Sequence, residues 1–188
     1  KQIDLDVARC SFSSREDADA LRLVLKSVLY QFFRTFPTFH YFQGLHDVAA
    51  AILLVYSSPS SSWLDNPVDM TVQILHVLCT RLIFADFVRF PEFRTLDYLL
   101  NAVHTLLSQV DLELATRLQE FPHWGVSMLL TGFAHDVSHE ASKLRLMDAI
   151  VSSPAYFPVY LLASLALGAR EEVLSDEDFC QHAVLRTR

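Results

Sequence analysis

Ala18, Leu21, Leu25, Val28, Phe32 and Phe36 recur at three- and four-residue spacing, with Ser14 and Asp17 placed as a capping box ahead of them and Pro37 behind. A run with that period can bury one face only as a helix, and a proline directly after it ends the helix, so the pattern predicts a helix over about 15–36. The same logic extends along most of the chain. A second helix is expected from near Gly44, carrying Val48, Ala51, Ile52 and Val55 and ending before a Ser- and Pro-rich loop over 57–67, which reads as the most mobile segment. Further helices are expected at about 68–85, 92–109, 111–120, 124–135, 139–151, 156–168 and 176–186. Of these, 92–109 carries Leu96, Leu99, Leu100, Val103, Leu106 and Leu107, and Asp111 stands as the N-cap of its successor. Pro122, the Ser152–Pro154 turn and Gly168 separate the later helices. No alternating strand pattern and no internal repeat competes with this reading.

The expected fold is therefore all-α, a single domain over 1–188 of packed helices joined by short loops. Fourteen phenylalanines and a 52% apolar composition supply one good-sized core. A net charge of −7 with no basic run argues against nucleic acid as a partner, because neutralising a phosphate backbone needs clustered Lys and Arg. Cys10, Cys79 and Cys180 are odd in number and widely spaced, which suggests neither a disulfide framework nor a thiolate zinc site and fits a reducing, cytoplasmic setting. The apolar run from Ala155 to Ala169 is short and broken by Pro158 and Ser164, so it reads as a core helix and not as a transmembrane segment. The first residues lack the apolar stretch of a signal peptide. Because a motif begins as early as Ile3, the chain is expected to be an excerpt of a longer protein.

Three groups of residues could carry chemistry. Ile3, Asp6 and Arg9 fall at successive i+3 positions, so on a helix Ile3 would face the core while Asp6 pairs with Arg9 and orients its guanidinium. Tyr41, Gln43 and Gly44 follow a connector whose aromatics, Phe36, Phe39, Tyr41 and Phe42, can pin it down. Gly44 permits a turn or a close backbone approach, which would present the Gln43 amide at the head of the next helix. Taken singly, the first is ordinarily an exposed ion pair and the second a helix-capping loop. The third group is a pair of His-Asp doublets, His46-Asp47 and His135-Asp136, of the kind that helical metal-dependent phosphohydrolases use. No HxxxH or HExxH spacing accompanies them. His40, His76, His104, His123 and His182 read as ordinary surface or packed residues. With four scattered glycines and no GxxxxGK[ST], the chain has no phosphate loop of its own.

The order IxxDxxR, an amphipathic helix ending in Pro, then YxQG followed by Leu45, His46 and Asp47 resembles the core of the TBC-domain Rab GTPase-activating proteins. Downstream, LLTGFAHD over 129–136 followed by Arg145, Leu146, Met147 and Asp148 is similar to the family segment ending in RLWD, so the resemblance runs from Ile3 to about Leu174. It implies that Arg9 is an arginine finger and Gln43 a glutamine finger, supported by Ile3, Asp6, Tyr41, Gly44 and Asp47, with Arg145 and Asp148 an internal structural pair. The partner it implies is a Rab-family small GTPase in the GTP-bound state, which carries GTP and Mg²⁺; the chain needs no cofactor or metal of its own. HYFQGLHD and FPVYLLASLALGAREEVL resemble the subgroup linked to the endoplasmic reticulum and early Golgi, so a cytoplasmic protein held at those surfaces through regions outside this chain is expected. Met147 stands where the family usually has Trp, and the family's usual element ahead of IxxDxxR is absent. The physical need for such fingers is clear. GTP hydrolysis spreads negative charge over the γ-phosphoryl oxygens, and an arginine supplied in trans accelerates it by about 10³–10⁵. Other readings are a catalytically silent Rab-binding adaptor and the metal-dependent phosphohydrolase; the presence of both Arg9 and Gln43 favours an active protein over a silent one.

Overall fold

The computed structural model describes residues 1–10, 12, 16–56, 66–81, 84–90, 92–121 and 123–175, and among these the chain forms eleven helices and no strand. In chain order they are α1 (Gln2–Arg9), α2 (Ala18–Thr35), α3 (Leu45–Tyr56), α4 (Pro67–Arg81), α5 (Phe84–Arg89), α6 (Arg94–Val110), α7 (Leu112–Gln119), α8 (Val126–Thr131), α9 (Glu140–Ser152), α10 (Phe157–Gly168) and α11 (Arg170–Ser175).

The centre of the fold is α3. Every residue from Leu45 to Leu54 is buried, as expected of a helix apolar on all sides, and the Ala49–Ala51 run lets neighbouring helices approach its axis closely. Packed against it are α1, α2, α4, α8 and α9. A second group, α6, α7, α10 and α11, packs mutually, and α8 lies between the groups, touching α3, α6 and α10. The amphipathic face of α2 is buried at Leu21, Leu25, Val28, Leu29 and Phe32, and removing the fully buried Phe32 ring would cost about 3–5 kcal/mol. On the outer side of α3 the sequence pattern fails at one position: Val55 is exposed.

Several boundaries differ from the expected ones for identifiable reasons. A turn at Glu16–Asp17 delays α2 to Ala18, and Asp17 makes no side-chain cap bond; Ser14 lies outside the described residues. Of the helix expected over 68–85, the described residues form α4 to Arg81 and the short α5 from Phe84, while 82 and 83 lie outside the described residues. Asn66 caps α4, its side-chain oxygen accepting from the Val68 and Asp69 amides at 3.2 Å; the loop of which it forms the end lies outside the described residues over 57–65. The helix expected over 124–135 stops at Thr131 because Gly132 (φ +56°) and Phe133 (φ +64°) are consecutive left-handed residues, which no α-helix can continue through. Asp111 caps α7 as expected, accepting from the Leu114 amide at 3.0 Å, and Arg170 of α11 binds the same carboxylate at 2.5 Å. The short α11 was not foreseen. The helix expected over 176–186 and Cys180, His182 and Pro122 lie outside the described residues, while Cys10 and Cys79 are buried free thiols whose pKa burial raises to about 12. Part of α10 is core, as expected, but Tyr160 and Leu167 are exposed. No helix among the described residues is long and apolar enough to cross a membrane.

Candidate functional site

Aromatic packing fixes the connector between α2 and α3. Phe32, Phe36 and Phe39 pack in one cluster, His76 of α4 lies flat on Phe36 with centroids 3.9 Å apart, and Phe42 meets Phe87 and Phe93 edge-on. The His40 amide donates to the Val88 carbonyl at 2.6 Å, tying the same segment to α5. The connector ends in a turn in which the Leu45 amide donates to Phe42 and the Asp47 amide to Gly44. Gly44 has φ +109°, and a Cβ there would sit 2.6 Å from the Thr131 methyl; both the conformation and the approach of α8 require glycine. Gln43 projects from this turn into solvent.

Arg9 is the last residue of α1, a helix of eight residues. Such a helix is marginal alone, and polar contacts anchor it. Lys26 and Tyr30 of α2 donate to Asp4 at 2.6 and 2.9 Å, chiefly the Lys26 bond holding that carboxyl at about 2. Arg22 donates to the Cys10 carbonyl just past the helix end at 3.2 Å. Val7 is buried and Ile3 is half-buried against the core, as expected.

Asp6 does not pair with Arg9. It is 2% exposed and accepts instead from the Tyr41 hydroxyl at 2.7 Å and the Gln2 amide at 2.8 Å. The reason is geometric: at about 3.6 residues per turn, residues three apart stand about 60° apart around the helix, and here Asp6 is turned inward, onto the connector, while Arg9 stays exposed. From Tyr41 the polar contacts continue inward. His46 Nδ1 stands 3.3 Å from the Tyr41 oxygen and His46 Nε2 stands 3.4 Å from Asp47, which receives a 2.9 Å hydrogen bond from His135 Nδ1. Burial lowers the pKa of His46, leaving an uncharged ring at neutral pH despite the nearby carboxylates. The bond to Asp47 raises that of His135. Burial and then the Asp6 bond push the Tyr41 phenol well above its ordinary range, so it acts as a fixed donor.

These residues converge. Arg9, Gln43, Asp6, His46, Asp47, His135, Val137, Ser138 and Lys143 line one hollow of about 200 Å³, smaller than the roughly 300–1,000 Å³ of a pocket for a small organic ligand. Buried acids form its floor, and Arg9 and Gln43 stand exposed at its rim. Neither rim side chain is hydrogen-bonded or ion-paired to any of the described residues. The two His-Asp doublets are only partly brought together. His46, Asp47 and His135 meet, but Asp136 accepts from Ser127 at 3.0 Å, and no group of three or more His, Cys, Asp or Glu among the described residues is disposed to hold a metal ion.

Arg145 and Asp148 are not the expected internal pair. Both are exposed, and no ion pair joins them among the described residues. On α9 the inward positions belong to Met147 and Ile150, which leaves Arg145 and Asp148 on the solvent side. Met147, the departure noted in the RLWD-like segment, is buried with its sulfur near Gly132, filling the gap behind the turn after α8. Sequence reasoning missed the joint role of His46 and His135 around Asp47 and the contribution of Lys143. The adjacent doublets were the only signal, and the pairing that gives them meaning spans 88 residues.

Fold and site together define an all-helical domain with a shallow hollow where α1, the head of α3 and the turn after α8 meet, rimmed by a cation and a neutral amide. The chain belongs to the Rab-GTPase-TBC domain family, whose model matches residues 1–174. It is 27% identical over 191 residues to the GTPase-activating protein gyp10 of Schizosaccharomyces pombe, an alignment covering 92% of this chain and 45% of that protein. To TBC1 domain family member 20 of Homo sapiens it is 25% identical over 162 residues, 85% of this chain and 37% of the relative. The mouse protein of the same name is 26% identical over 141 residues, covering 73% and 32%. The chain thus spans less than half the length of these relatives.

Proposed function

We propose that this domain stimulates GTP hydrolysis by a Rab GTPase, placing Arg9 and Gln43 in trans into the nucleotide site of the GTP-bound partner. GTP and Mg²⁺ arrive with the Rab. Arg9 stabilises charge on the γ-phosphoryl and leaving oxygens, a task suited to a permanently charged planar fork of donors. Gln43 orients the attacking water, which other GTPases do with a glutamine of their own. The observation that carries this reading is the pairing of two exposed, unbonded side chains of the required kinds on the rim of one small hollow, in a chain of this family. The parent protein is proposed to act at the endoplasmic reticulum or early Golgi surface, through regions outside this chain.

Single-turnover GTP hydrolysis across a panel of Rab GTPases tests the proposal. Stimulation by the wild-type chain is expected for at least one Rab, with a loss of about 10³-fold or more for Arg9→Ala. Arg9→Lys is expected to lose most of the stimulation too, since a point charge replaces the fork. Binding of the GTP-bound Rab should survive better than turnover, because the strongest contacts of Arg9 form in the transition state. An Arg9→Ala chain that stimulates like wild type would contradict the assignment.

A further inference from the structure

Gln43 has no side-chain partner among the described residues, so its place is set by the backbone of its turn and by whatever holds the head of α3. Gly44, the residue before α3, has no side chain with which to cap that helix. Asp47, in the first turn of α3, is a carboxylate well placed for the helix N-terminus, and its own amide closes the turn by donating to Gly44 at 3.0 Å. His135, in the segment after α8, touches both of the groups that meet this turn. The His135 side chain bonds Asp47 at 2.9 Å, and the His135 amide donates at 3.2 Å to the Thr131 hydroxyl, whose methyl is the group packed onto Gly44. His135 is nonetheless 56% exposed at its side chain and on the wall of the same hollow as Gln43.

We infer that His135 is a positioning residue: through Asp47 it holds the first turn of α3 and so fixes where Gln43 stands. The inference rests on the reading of Gln43 given above. Its essential atom is the Nδ1 donor. Asparagine carries an N–H at nearly the same place, whereas alanine carries none, so the two substitutions separate the hydrogen bond from the mere presence of a ring. The side chain is half in solvent, so neither replacement removes a core contact.

The test has two readouts on the 188-residue chain, wild type, His135→Ala and His135→Asn. Amide hydrogen exchange without any partner should show the amides of 45–48 exchanging several-fold faster in His135→Ala and close to wild type in His135→Asn. Single-turnover hydrolysis with a responsive Rab should show the rate at saturating chain falling about tenfold to a hundredfold in His135→Ala, the range expected when a reacting group is misplaced from outside the chemistry. The half-saturating concentration should hardly move, and His135→Asn should recover most of the rate. Unchanged exchange in His135→Ala, or an asparagine variant as defective as alanine, overturns the inference. If no Rab responds to the wild-type chain while exchange follows the expected pattern, the positioning link stands and the functional reading falls.

Discussion

The two rim residues are held in different ways. Gln43 stands on a turn held chiefly by close packing, with the Phe42 ring against Phe87 and Phe93 on one side and the Thr131 methyl against Gly44 on the other, and with the His135 bond to Asp47 as a polar tie. Arg9 ends a short helix held largely by polar contacts, from Lys26 and Tyr30 to Asp4, from Tyr41 to Asp6 and from Arg22 to Cys10. The contrast shows a division of labour that suits the proposed chemistry. An amide that must aim a water needs a fixed origin, whereas a guanidinium reaching into another protein on a long side chain tolerates a softer base. Tyr41 belongs to both regions: its ring meets Phe33 of α2 and its hydroxyl holds Asp6.

The largest effect on stability is expected where packing is tightest. Gly44→Ala forces a side chain into a left-handed conformation and against Thr131, two costs of about 1–3 kcal/mol each. Urea denaturation should therefore show a loss of about 3 kcal/mol, with stimulation lost as the Gln43 turn shifts. A stable Gly44→Ala chain would show that the turn yields easily, and the contrast between the two regions would disappear.

Next comes the polar side. Tyr41→Phe keeps the ring and removes one donor from the buried Asp6, leaving the Gln2 amide as its remaining side-chain donor among the described residues. A buried acceptor left short costs about 1–3 kcal/mol. Urea denaturation should register that cost, and the amides of α1 should exchange faster while those of 45–48 change less. Equal loosening of both regions would mean that they are one cooperative unit.

The smallest effect is expected on α9. Arg145→Ala and Asp148→Ala alter exposed residues without mutual pairing, and each should shift stability by less than about 0.5 kcal/mol. A drop in melting temperature of many degrees in either variant would restore the internal pair that the sequence suggested. An unchanged melting temperature with weakened Rab stimulation would instead assign these residues to the partner surface.

What could be read from the sequence follows the range of the interactions involved. The helices with strong periodicity, α2 and α6, were legible because their buried faces are local patterns, and so was the Asp111 cap, which needs only its own next turn. The stop at Thr131 was not, since Gly132 is permissive in many contexts and nothing local announces that Phe133 also turns left-handed. At the site, the motifs drew attention to Arg9, Gln43 and Gly44, and the aromatic connector was legible from composition. The partner of Asp6 was misread because spacing along α1 says which residues lie near one another and not which of them turns toward the core. His135 was seen only as half of a doublet, because its bond to Asp47 depends on how α8 docks on α3.

The central claim is that this chain supplies the water-orienting amide as well as the cation. It is tested most directly by single-turnover hydrolysis with a responsive Rab whose own switch glutamine has been replaced, comparing the wild-type chain with Gln43→Ala. The account predicts that the wild-type chain still stimulates that Rab substantially and that Gln43→Ala does not. Stimulation that vanishes with the Rab glutamine, or that persists undiminished in Gln43→Ala, would contradict it.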